Sequence, residues 1–260
     1  MTPRAIGLLG CGAMGRYLAA QLRNDPGVVL ARAWDPLSDA CNAMAPLLNT
    51  DARVELPELW GETVTLLVEA AHPTVVPEAL GLAVANRWHL LIASVGGLVS
   101  PEGHAALTAA LLAGIAVHIP AGAIGGIDLL SAIPRSELNS VTLRTRKPPQ
   151  ALPPEEARGL KKATCLFEGS AREAIARFPK NVNVAVTLSL AGMGVDATRV
   201  EVWGDPTITQ NTHEIEIESG VGHYLFRCAN EPLAENPGTS RLAALSMLAV
   251  IRGKTTGLLL

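Results

Sequence analysis

Gly10, Gly12 and Gly15 stand in G-x-G-x-x-G spacing between an apolar run at residues 6–9 and an amphipathic stretch. That stretch carries Met14, Leu18 and Leu22 at four-residue intervals. Such a run suits a buried parallel strand, and such a period gives a helix one apolar stripe to lay on it. A second apolar stretch, Val28–Trp34, ends on Asp35, about twenty residues beyond the third glycine, as in dinucleotide-binding βαβ units. Each part has a physical job. Gly10 permits the tight turn, Gly12 lets a pyrophosphate approach the backbone, and Gly15 lets helix and strand pack closely. The helix N-terminus, with Ala13 and Met14, faces the phosphate charge. Asp35 accepts hydrogen bonds from the adenosine ribose hydroxyls. Its carboxylate repels a 2′-phosphate, which favours NAD, while Arg32 nearby leaves NADP open.

Composition narrows the remaining classes. The 260 residues are 48% hydrophobic and 17% charged, enough to bury a substantial core. A net charge of −3 gives no electrostatic case for nucleic acid or an anionic membrane. Cys11, Cys41, Cys165 and Cys228 are scattered without a C-x-x-C pair, so neither a disulfide framework nor a metal site is expected. No apolar run approaches the roughly 20 residues that span a bilayer, and the first strand begins too early for a signal peptide. A cytoplasmic protein is expected.

Further strands at about 63–68, His89–Ile92 and 115–119 alternate with helices at about 38–48, 73–86 and 101–113. Alternation of this kind predicts βαβ units and a parallel sheet, with ligands at the strand carboxyl ends. Ala71, His72 and Ser94 fall there. The texture changes after Pro120, where a glycine-rich link leads into short helices and polar–apolar alternating strands. The expected fold class is α/β: a Rossmann-type doubly wound parallel sheet with an inserted α+β second domain. Residues 1–122 and 236–260 form the dinucleotide-binding domain, and 123–235 the substrate-binding and oligomerisation domain. Asn236-Pro237 reads as the cap and first residue of a final helix, whose face of Leu242, Leu245, Leu248 and Ala249 packs on the first domain. One sheet face of the apolar second domain is expected to close a symmetric homodimer.

Among the histidines, His72, His89, His104, His118 and His223 fit plain structural positions. His213 lies in a strand alternating polar and apolar residues. It shares a face with Asn211, Ile215 and Ile217, opposite Glu214, Glu216 and Glu218. That mixed face reads as an interior lining or as half-buried sheet. Asn183 follows a polar cluster and precedes an apolar helix. It either caps that helix or holds a carboxamide or carboxylate.

Six segments, taken together and in order along the chain, resemble the L-aspartate dehydrogenase family. They are GCGAMG, PAGAIGGID (120–128), TRKPP (145–149), FPKNVNVAVTLSLAG (178–192), NTHEIEIESG (211–220) and NPGTSRLAALS (236–246). The resemblance implies NAD(P)-dependent oxidative deamination of L-aspartate to iminoaspartate, then oxaloacetate and ammonia, with the reverse amination. Iminoaspartate also links the family to pyridine nucleotide biosynthesis. The family's active-site histidine falls on His213, and its nicotinamide-side contacts on Ala123 and Asn183. Ala71 joins the cofactor contacts, although the EAAHP (69–73) and SVGG (94–97) segments depart from the family's forms. Two substrate carboxylates then need partners, for which Lys180, Asn181 and Asn211, together with Arg146, Lys147 and Lys162, are available. A homoserine-dehydrogenase-like or other amino-acid dehydrogenase and a non-catalytic NAD sensor stay open as other readings.

Overall fold

The structure, a computed structural model, describes residues 3–48, 53–152, 154–157, 159–178 and 183–253. The chain divides into two compact units, Met1–Pro120 with Ala244–Leu260, and Ala121–Ala243.

Unit 1 begins with β1 (Arg4–Leu9), α1 (Ala13–Leu22), β2 (Val28–Trp34), α2 (Ser38–Met44) and β3 (Arg53–Val54). It continues through β4 (Leu66–Glu69), α3 (Val76–Asn86), β5 (His89–Ile92), α4 (Pro101–Leu112) and β6 (Val117–His118). The strands form one parallel sheet in the order β3-β2-β1-β4-β5-β6. This is the doubly wound order of a Rossmann fold, with its reversal between β1 and β4. Ile6, Leu8, Leu18, Leu22, Leu30 and Val68 meet in the core. Each such side chain contributes about 1.5–3 kcal/mol by leaving water.

Unit 2 holds α5 (Ile127–Ala132), β7 (Leu138–Lys147), α6 (Pro154–Ala157), β8 (Thr164–Ser170), α7 (Ala171–Arg177) and α8 (Asn183–Ala191). These are followed by β9 (Arg199–Gly204), β10 (Asn211–Ser219) and β11 (Gly222–Asn230). Its five-stranded sheet runs β11-β10-β7-β9-β8 and is mixed, with β7 and β9 parallel and the other pairs antiparallel. Val141, Leu143, Ile215 and Ile217 point to the inner face, where Ala171, Ala174, Ala185 and Leu188 of the helices cover them.

Two expectations about the C-terminal region are corrected. Asn236-Pro237 does not open a helix. Asn236–Ser240 is a strand, β13, paired with β12 (Pro232–Leu233), and the last helix, α9, is Arg241–Ile251. The pairing of Leu233 with Asn236 outweighs the local cap chemistry. The buried face of α9 is Ala244, Met247, Leu248 and Ile251, whereas Leu242 and Leu245 are 40% and 42% exposed. The division between units accordingly falls at Ala244, inside α9, and not at Asn236.

The outward face of the unit 2 sheet is charged. Arg144 makes a bidentate contact with Glu201, Arg146 pairs with Asp205 and stacks over Trp203, and Glu214 draws on Arg227.

Candidate active site

In unit 1 the glycine loop is explained partly by the chain itself. Gly10 has φ +100, a left-handed conformation that favours glycine. A Cβ at Gly15 would lie 2.0 Å from the Gly10 carbonyl oxygen, so close helix–strand packing excludes any side chain. Gly12 differs. Its φ of −71 suits any residue, and a Cβ there would meet nothing within 4 Å. No atom of the described residues accounts for the missing side chain, which fits a ligand laid across the backbone at the start of α1. Asp35 is drawn to the same loop, its Oδ2 accepting the Cys11 N–H at 2.9 Å and its Oδ1 that of Leu37 at 2.9 Å. Arg32 is engaged by Glu55. These residues fit a dinucleotide.

At the carboxyl ends of β4 and β5 a fully buried acid ties two loops together. Glu69 accepts the Ala71 N–H at 2.8 Å with one oxygen and the Ser94 N–H at 2.9 Å with the other. Burial pushes its carboxyl upward, against the opposing pull of these donors. Ala71 and His72 are exposed, and His72 takes a capping role, its Nδ1 accepting from Thr74 N. Glu69 carried no role in the sequence reading. A charged residue closing the apolar run of β4 was the available signal.

In unit 2 the inner sheet face changes character along its strands. Ile215 stands between Leu143 and Phe226, an apolar row. One row on, His213 stands between Thr145 and Cys228, and the next row pairs Asn211 with Asn230. Lys147, the last residue of β7, also faces inward. The sheet thus ends in two polar rows beyond an apolar floor. His213 is only 8% exposed and its Nδ1 lies 3.0 Å from Thr145 Oγ1. Burial pushes the imidazole down to about 4, and the Lys147 cation adds to the shift, so the ring is neutral at physiological pH. Burial also lowers Lys147 to about 8, with Glu156 pulling the other way. A cleft partly open to solvent lies over the inner face of β7 and is lined by Thr145, Lys147, Glu156, Phe178 and Ala185.

Asn230 donates from Nδ2 to the carbonyl of buried Ala123 at 2.8 Å, fixing the glycine-rich link to the polar end of the sheet. Asn211 Oδ1 is buried and has no hydrogen-bond partner among the described residues. Asn183 is the exposed first residue of α8. Lys180 and Asn181 lie outside the described residues. Of the other cations, Arg146 points to the outward face and Lys162 is exposed. Thr145 and Asn230 were not singled out from sequence as site residues. Strand register alone brings Thr145 to His213 and Asn230 to Asn211.

A doubly wound sheet carrying this loop, joined to a unit whose sheet ends in a buried neutral histidine, defines the class of Rossmann-type oxidoreductases. Residues 128–254 match the family model for the C-terminal part of aspartate dehydrogenase. The chain belongs to the aspartate dehydrogenase family. It is 37% identical to L-aspartate dehydrogenase from Methanosarcina barkeri, with 95% of each chain covered. The enzyme of the same name from Ralstonia pickettii is 36% identical, over 95% of this chain and 96% of the relative. The crystal structure of aspartate dehydrogenase from Thermotoga maritima superposes with a TM-score of 0.77 at 27% identity, covering both chains entirely.

Proposed function

We propose that the protein is an L-aspartate dehydrogenase, interconverting L-aspartate with iminoaspartate, and hence with oxaloacetate and ammonia. The observation that carries this is His213. It is a neutral imidazole on the polar end of a sheet, beside a buried lysine, in a chain that is related to L-aspartate dehydrogenases over nearly its full length. The cofactor is a pyridine nucleotide, and NAD is favoured over NADP by a carboxylate, Asp35, held against the glycine loop and by an Arg32 that is already paired.

Gly10, Gly12, Ala13, Met14 and Gly15 bind the pyrophosphate through backbone N–H groups, and Asp35 takes the ribose hydroxyls. Ala71, Ala123 and Asn183 are assigned to the nicotinamide side. When bound, the nicotinamide ring accepts or gives the hydride. His213, neutral, takes a proton from the water that attacks the imine and hands it to the departing ammonia. Lys147 offsets the carboxylate charge. Lys180 and Asn181 are the remaining substrate candidates. Iminoaspartate as a product supports a place next to pyridine nucleotide biosynthesis.

A homodimer completes the proposal, closed by the charged outward face of the unit 2 sheet, and light scattering giving a dimer mass checks it. Among the described residues no helix is long and apolar enough to cross a membrane. The deciding assay follows reduced nucleotide oxidation with ammonia across a panel of 2-oxo acids. Oxaloacetate should be preferred, and a preference for another 2-oxo acid, or none, sinks the proposal.

A further inference from the structure

Asn211 stands two residues before His213 on the same face of β10, roughly 7 Å along the strand. Its Oδ1 is buried without a partner among the described residues, while the amide of its cross-strand neighbour Asn230 is committed to the Ala123 carbonyl. Native proteins rarely leave such an oxygen without a donor, so one in a site marks where a ligand donates. Lys147 at the end of β7 and His213 on β10 face the same side of the sheet but meet different needs: a lysine ammonium only donates, and His213 moves protons.

The chemistry of the substrate then restricts what Oδ1 receives. The two carboxylates of aspartate only accept hydrogen bonds, whereas its nitrogen donates, both as the amine and as the iminium. We propose that Asn211 Oδ1 accepts an N–H of the substrate nitrogen and thereby selects the iminium over the ketone in the reductive direction; this rests on the aspartate dehydrogenase reading above. The iminium turns an N–H towards Oδ1. The C2 ketone of oxaloacetate turns oxygen lone pairs towards the same atom and is repelled.

Both paths take the same hydride from the reduced nucleotide, which is oxidised. On the selected path hydride adds to C2 of the iminium, the C=N π pair passes to nitrogen, and the amine gains a proton to give aspartate. On the rejected path hydride adds to C2 of the ketone, the C=O π pair passes to oxygen, and the alkoxide gains a proton to give malate. Asn211 thus acts as a specificity residue that suppresses a hydroxy-acid dehydrogenase activity.

The test compares reduced nucleotide oxidation with oxaloacetate plus ammonia against oxaloacetate alone, in the whole protein and its variants. Calorimetry of L-aspartate against succinate, which lacks the nitrogen, provides a second readout independent of turnover. In Asn211→Ala the amination-to-ketone ratio should fall about 10- to 100-fold, the scale on which a lost polar contact erodes discrimination. The preference for aspartate over succinate should fall with it. Asn211→Asp keeps an acceptor oxygen and should keep most of both. Asn211→Ser replaces the alanine variant if that one does not fold. An unchanged ratio and unchanged binding preference in Asn211→Ala overturn the proposal. So does a loss in Asn211→Asp as large as in Asn211→Ala, since the amide N–H would then be the working group. A parent protein that turns over neither aspartate nor oxaloacetate with ammonia overturns the family reading instead.

Discussion

Thr145 Oγ1 and His213 Nδ1 are 3.0 Å apart across adjacent strands, both buried. The contact holds the ring through Nδ1 and leaves Nε2 as its other polar atom. Thr145→Val keeps the shape and removes the hydroxyl. A buried hydrogen bond contributes about 0.5–1.5 kcal/mol, so kcat should fall about 3- to 10-fold with little change in nucleotide affinity. Steady-state kinetics with a nucleotide titration checks it, and unchanged kcat means the hydroxyl does not orient the ring.

His213→Ala should lower kcat by roughly 10²–10⁴-fold, the range for a general acid–base group. The pH dependence follows from the site. In the folded protein the imidazole is pushed from its ordinary 6.5 to about 4, so between these values the unfolded chain binds more protons. Its stabilising contribution is therefore full above pH 6.5 and is lost as pH falls towards 4. The acid limb of kcat/KM should lie well below 6.5. That of kcat should sit higher, because a bound dicarboxylate offsets Lys147. Lys147→Met should raise the kcat/KM limb, and an unmoved limb in that variant shows that the lysine charge does not reach the ring.

The glycines of the loop separate structural need from ligand need. Gly15→Ala pushes a Cβ into the Gly10 carbonyl and should cost about 1–3 kcal/mol of stability. Gly12→Ala meets nothing within 4 Å among the described residues and should leave stability within about 0.5 kcal/mol. Nucleotide affinity should nevertheless fall at least tenfold. Thermal melts with nucleotide titration distinguish the two, and a Gly12→Ala protein that binds normally removes the pyrophosphate from this position.

Asp35→Ala should weaken NAD more than NADP, since charge-assisted bonds to the ribose hydroxyls contribute roughly 1.5–3 kcal/mol each. Some loss is common to both cofactors, because Asp35 also accepts the Cys11 and Leu37 N–H groups. Equal losses in the two binding constants show that the carboxylate does not reach the ribose.

Much of unit 1 is legible in the sequence because its signals are local. The glycine spacing, the buried run of β1, the β2 stretch ending on Asp35 and the His89–Ile92 strand all follow from periods and end residues. Unit 2 hides more. Strand β8 lies at the sheet edge, breaks register between Cys165 and Phe167, and so lacks clean alternation. Leu242 and Leu245 look like a buried stripe, yet the smaller Ala244 faces the core. In the site, the alternation around His213 correctly gives its face, including Asn211. Its neighbours were not foreseeable from spacing, because Thr145 is 68 residues away in sequence and only the β7–β10 register joins them.

Glu69 has a consequence for motion. Its two oxygens are committed to different loops, one at Ala71 and one at Ser94, and the acid between them is fully buried. If either loop loosens, a desolvated carboxyl loses a backbone donor, which is costly. The crevice edge after β4 and β5 therefore breathes as a single cooperative piece. Amide hydrogens of Ala71 and Ser94 should exchange with one shared opening free energy, and in Glu69→Gln the two should part company.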